Sequence, residues 1–143
     1  MPKILDGNKQ ILTSGYGTGL TNTQKLSRAW IQKPLVLSTE VVTGGNGSGN
    51  AVALSPTATV SLVATKSSAT HVSLVDGVEG QLKVIIHKTR AGSNDLVITP
   101  ANFANGTTIT SNSANRAIQL LFDGVNWQVV AGEITGTAEM VIA

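Results

Sequence analysis

From residue 51 onward the chain alternates apolar and polar positions in short runs broken by turn residues, the period-2 signature of β-strands. Residues 58–65 place Val60 and Leu62 on one face and Thr59 and Ser61 on the other. In residues 71–75 the inward positions are Val72 and Leu74. In residues 81–87 they are Leu82, Val84 and Ile86, which leaves Lys83, Ile85 and His87 outward. Asp76-Gly77 and Glu79-Gly80 read as turns. Residues 95–99 are stopped by Pro100, residues 107–110 form a short run, and residues 138–143 make a last strand. The clearest hairpin joins residues 116–122 to residues 127–131 through Asp123-Gly124-Val125-Asn126, with Ile118, Leu120 and Phe122 opposite Trp127 and Val129. This pattern predicts an all-β fold: a single antiparallel β-sandwich, jelly-roll-like, spanning residues 35–143.

Some strands also place apolar residues outward, namely Val63, Val75, Ile85, Val97, Leu121 and Val130. A sheet with one wet face does not favour them. Either both faces are covered within the domain or a second subunit covers one, and in so small a chain the pattern predicts a homo-oligomer. Composition agrees. Of 143 residues only 13% are charged, about half the usual share, and neutral polar and small apolar residues take their place.

Residues 1–34 differ in pattern and in charge. Gly15-Tyr16-Gly17-Thr18-Gly19 is flexible by composition, and no βαβ unit surrounds it to make it a dinucleotide loop. Asn22 is placed to cap a short helix that carries Leu26 and Trp30 at i, i+4 and that Pro34 ends. Lys3, Lys9, Lys25, Arg28 and Lys33 face a lone Asp6, so this extended N-terminal arm carries +4 while the rest carries −2. A basic arm on a weakly acidic body predicts an acidic partner surface. Aromatic residues, at 3%, are too few for a stacking nucleic-acid groove. Between Thr43 and Asn50 the glycine-rich stretch reads as a loop projecting from one end of the sheet.

Candidate chemistry is sparse. The absence of cysteine excludes disulfides and thiolate metal sites. His71 and His87 alternate with inward residues and read as surface histidines; together they lack a third metal ligand. Asp76, Glu79, Asp95 and Asp123 are the carboxylates a glycosidase would need, but Asp76 and Asp123 belong to Asp-Gly turns. No Gly-x-Ser-x-Gly elbow is present. A sugar-binding platform would rest on Phe103, because Phe122 and Trp127 read as core and Tyr16 and Trp30 lie in the arm. The pattern therefore predicts a non-enzymatic protein with no cofactor and no metal. Neither an 18-residue apolar run nor a signal-peptide core is found, so synthesis in the cytoplasm without membrane insertion is expected. Asn46-Gly47-Ser48 and Asn105-Gly106-Thr107 accordingly read as turns rather than glycosylation sites.

Three stretches carry a resemblance. Residues 74–86 (LVDGVEGQLKVII), 95–110 (DLVITPANFANGTTIT) and 118–130 (IQLLFDGVNWQVV) resemble a module of tailed-phage virion structural proteins. The resemblance covers roughly residues 70 to 131. It implies a virion component made in the host cytoplasm, most like a head decoration or cement protein on the capsid surface. Its expected partners are the major capsid protein and itself, as a homotrimer before a dimer. The alternative is a tail-fibre or receptor-binding subunit. In the decoration reading the partner-binding residues are Lys3, Lys9, Tyr16, Lys25, Leu26, Arg28, Trp30 and Ile31 of the arm.

Overall fold

The computed structural model describes residues 36–132 and 140–142, together with the backbone of residues 5–6 and 9–10. In the leading unit β1 (Leu5–Asp6) and β2 (Lys9–Gln10) form a short antiparallel pair. The body is an all-β sandwich. Sheet I runs in the order β12 (Trp127–Gly132), β11 (Arg116–Phe122), β8 (Leu82–Thr89), β6 (Val60–Ala64), β3 (Thr39–Thr43). Sheet II runs β13 (Met140–Ile142), β10 (Ile109–Ser111), β9 (Leu96–Pro100), β7 (Thr70–Leu74), and then β4 (Gly45–Asn46) and β5 (Val52–Ala53), which share the far side of β7.

Strand direction departs from the antiparallel expectation. From β3 to β9 the chain crosses between sheets after almost every strand, and each return lands beside the earlier strand in the same sense. Hence β3, β6 and β8 are mutually parallel, as are β5, β7 and β9. The reason lies in the connections. Of the two turns expected in residues 75–81 only Glu79-Gly80 forms, closed by the Gln81 amide donating to the Val78 carbonyl at 2.9 Å, and the segment spans the gap of about 10 Å between sheets rather than closing a hairpin. Past β9 the winding stops, and β10, β11, β12 and β13 add antiparallel. The hairpin through residues 123–126 is present, with Phe122 opposite Trp127 and Leu120 opposite Val129.

The core is the apolar filling between the sheets: Leu54, Val63, Val72, Leu74, Ile85, Leu96, Ile98, Ile109, Ile118, Leu120, Phe122 and Trp127. Phe122 and Trp127 meet edge to face at 5.2 Å, and the indole Nε1 donates to the Val75 carbonyl at 3.1 Å. Such aromatic pairs contribute about 0.5–1.5 kcal/mol beyond their buried area.

On β6 and β8 the structure reverses the expected faces. Ser61, Val63, Lys83, Ile85 and His87 point into the sandwich, and Val60, Leu62, Leu82, Val84 and Ile86 lie half-buried on the outside. Both phases of these strands are bulky, so alternation alone does not choose between them. Partners do: the interior offers hydrogen bonds to Lys83, Ser61 and His87, as described below. The glycine-rich stretch also departs from expectation. Gly44 and Gly45 are buried, β4 pairs with β7, and Ser48–Asn50 forms a 3-10 turn folded back on the strand. A Cβ on Gly45 would run into the Asn50 carbonyl, and one on Gly44 into the Thr70 side chain.

Candidate functional site

Two buried polar clusters occupy the interior. Lys83 has no exposed surface, and its Nζ donates to Glu40 Oε1 at 3.2 Å and to the Ser55 and Ala58 carbonyls at 2.8 and 2.7 Å. Glu40 also accepts from the Ser61 hydroxyl at 2.5 Å and from the Ser55 amide at 3.0 and 3.1 Å. Burial works to raise the Glu40 pKa, but the bonds from Ser61, Ser55 and Lys83 and the lysine charge outweigh it and hold the carboxyl below its ordinary value. Desolvation lowers the pKa of Lys83, and Glu40 offsets part of that. All three ammonium protons are satisfied, so the cluster ties β3 to β8 and to the 55–58 loop and leaves no free nucleophile.

The second cluster is His87 on β8 with Ser111 on β10, in the opposite sheet. Their Nδ1 and Oγ atoms lie 3.0 Å apart, and the Ser111 hydroxyl donates to the Ser113 carbonyl at 3.1 Å. The serine proton is thus committed, Nδ1–H donates to Oγ, and the buried Nε2 meets no partner. Desolvation and the Arg90 charge lower the His87 pKa, offset in part by the Thr89 carbonyl, Asp95 and the Ser113 carbonyl. The expected surface position of His87 is therefore wrong: it is an interior histidine. His71 lies half-buried on the outer side of β7, in the other sheet, so the two imidazoles do not share a face. Among the described residues no three His, Cys, Asp or Glu side chains gather as a metal site.

The other sequence candidates are placed as follows. Asp76 accepts from Asn102 at 2.8 Å, and Asp95 pairs with Arg90 at 2.9 Å. Asp123 caps its own turn through the Val125 and Asn126 amides, which pull its pKa down. Phe103 is half-buried, bridged to Trp127 and packed against the core, so it is no open platform. Of the arm residues, Lys9 lies on the backbone of β2, while Lys3, Tyr16, Lys25, Leu26, Arg28, Trp30 and Ile31 lie outside the described residues, as does the expected short helix.

What the body presents is a surface, and its two sheets differ. Across the outside of sheet I the register sets Val41, Leu62, Ile86 and Ala117 in one row. Thr39, Val60, Val84 and Gln119 form the next row, and Leu82, Leu121 and Gln128 a third. No charge interrupts these rows. On the outside of sheet II the corresponding rows read His71, Val97, Thr110, Val141 and Ala53, Ser73, Thr99, a face suited to water. The apolar outer face foreseen from the sequence thus exists, but different residues make it. Val63 and Ile85 are core; Leu121 and Val130 are outward as expected; Val60, Leu62, Leu82, Val84 and Ile86 lie on the outside, although alternation places Leu82, Val84 and Ile86 inward. Apolar residues in both phases of β6 and β8 are the signal that both faces of these strands are apolar.

No protein-family model matches this chain, and no curated protein sequence does.

Proposed function

We propose that this chain is a non-enzymatic structural protein of a phage virion, one that decorates the capsid and cements it by bridging neighbouring capsomers. The observation that carries the reading is the uncharged, apolar outside of sheet I, on a body whose buried Lys83–Glu40 pair is consumed by structural bonds. A face of that kind is what an assembly subunit buries, and the resemblance of roughly residues 70 to 131 to a module of phage virion proteins supports a virion as that assembly. In this reading the basic leading segment, with Leu26, Trp30 and Ile31 as apolar anchors, grips the major capsid protein. The body associates with its own copies. Each contact is modest, and multiplication over a closed shell supplies the holding force against internal pressure.

Purified protein mixed with empty capsids is expected to co-sediment with them at a stoichiometry of hundreds per particle. Binding to host cells instead, or a handful of copies per virion, would move the chain to the tail-fibre or receptor-binding class. Glycan hydrolysis by the purified protein would overturn the non-enzymatic reading altogether.

A further inference from the structure

We infer that strand β3 is a self-association edge, on which a second copy of this chain adds its own β3 antiparallel about a two-fold axis through Val41. The inference rests on the assembly reading above and names the contact. The two edges of sheet I are treated differently. At β12 the 102–105 loop lies against the strand: the Trp127 amide donates to the Asn102 carbonyl at 2.8 Å, the Ala104 amide to the Trp127 carbonyl at 3.1 Å, and the Val129 amide to Asn105 Oδ1 at 3.2 Å. A register shift between Gln119 and Leu120 also distorts that edge. Among the described residues none of these guards appears at β3. Among the described residues no strand pairs with its free side, and it carries no bulge and no proline. The apolar row Val41–Leu62–Ile86 runs straight to this edge and ends in a Val41 that is 71% exposed. Natural sheets protect such edges unless they are used.

The occupant follows from symmetry and charge. Thr39-Glu40-Val41-Val42-Thr43 reads nearly the same in both directions. A two-fold at Val41 sets Val41 against Val41 and Thr39 against Thr43, all on the outer face, and sets Glu40 against Val42 on the inner one. A two-fold contact also opposes every charge on the axis with itself, which would forbid a charged edge. Here the outward residues are neutral and the one carboxylate, Glu40, is turned inward onto Lys83. The pair would join two five-stranded sheets into one, with the apolar rows continuous across the axis. The contact is isologous, and so predicts a dimer unit rather than a three-fold ring.

The test uses the full-length chain, which contains no cysteine. Directly opposed antiparallel residues have Cα atoms about 4.5–5.5 Å apart, within the span a disulfide accepts. Val41→Cys is therefore expected to cross-link to a dimer under mild oxidant, and Val78→Cys, equally exposed but in the 75–81 loop off the β3 edge, is not. Val41→Lys should convert the dimer to monomer by light scattering while leaving the circular dichroism spectrum unchanged. Mixing it with Val41→Glu should restore the dimer. A wild type that self-associates while Val41→Cys cross-links no better than Val78→Cys would overturn this edge and leave the assembly reading standing. A monomeric wild type with a freely reactive Val41→Cys would overturn both. A monomer in which that thiol is shielded would assign the edge to the chain's own leading residues, and likewise overturn the proposal.

Discussion

Lys83 is the residue on which the interior of sheet I turns. A fully buried ammonium is tolerated because Glu40 and two carbonyls surround it, and removing one partner of such a pair leaves the other stranded in a poor dielectric. Lys83→Met is expected to cost about 3–5 kcal/mol, read as a fall in the denaturant midpoint. The double variant Glu40→Leu/Lys83→Met should recover much of that loss, because the stranded carboxylate is gone; a strictly additive double would contradict the pairing. His87 makes a second prediction, through pH. Its folded-state pKa is depressed by burial and Arg90, with Arg116 opposite it on β11, Ser111 and Asp95 as the other facing groups. As pH falls below about 6.5 the unfolded chain takes up a proton that the folded chain resists, so stability is flat above about 6.5 and is lost downward from there until the folded pKa is passed. Unfolding at pH 7 and pH 5 should show the loss in wild type and its removal in His87→Phe. Glu40 works in a lower window: its depressed pKa gives stability above its ordinary 4.5 that is lost in stronger acid. Neither residue was legible as interior from alternation, since Lys83, Ile85, His87 compete with Leu82, Val84, Ile86 for the same face. Three aliphatics win that contest unless the fold supplies Glu40 and Ser111, which lie far away in the sequence.

Apart from β3, β4 and β5, which the alternation did not mark, the strands of the body were legible, and so was the hairpin of residues 123–126, because its Asp side chain and the positive φ of Gly124 at 99° are local devices. Strand direction was not. Whether a seven-residue connection closes a hairpin or crosses to the facing sheet depends on where the next strand finds its partner, and that is decided across the sandwich, not within the loop. The 43–50 stretch shows the same limit from the other side. Its glycines signal a loop by composition, yet Gly44 and Gly45 are there for close approach: the β4 backbone packs where a side chain cannot fit. Gly45→Ala should therefore destabilise the body by about 1–3 kcal/mol, the range for overpacking, with the 3-10 turn at Ser48–Asn50 displaced. Gly49→Ala, whose added methyl meets nothing within 4 Å, should change the midpoint little. Equal costs at the two positions would mean that the turn is not packed as described.

At the scale of the whole body, charge is sorted to opposite ends. The ends of β6 and β8 and the starts of β7, β9 and β11 lie together and carry Lys66, Lys88, Arg90 and Arg116 against Asp95; the other end, with the 75–81 and 123–126 loops, carries Asp76, Glu79 and Asp123. Lys83 and Glu40 cancel between them. The outer rows of sheet I, midway, stay neutral. Two kinds of contact are therefore available to one molecule, and they obey different physics. Contacts made by charge, including those proposed above between the basic leading segment and a capsid, weaken as the screening length shrinks from about 10 Å at 0.1 M salt to about 3 Å at 1 M. Contacts made by the apolar edge and face of sheet I do not weaken, because burying apolar area is insensitive to screening and is strengthened by excluded salts such as sulfate. Raising sodium chloride from 0.1 to 1 M, a range set by that screening argument, should release the protein from capsids in a sedimentation assay while its oligomeric state by light scattering stays the same. In ammonium sulfate the oligomer should tighten. If self-association instead dissolves in salt together with capsid binding, the oligomer is held by its charged ends, head to tail, and the neutral face of sheet I is not what joins the copies.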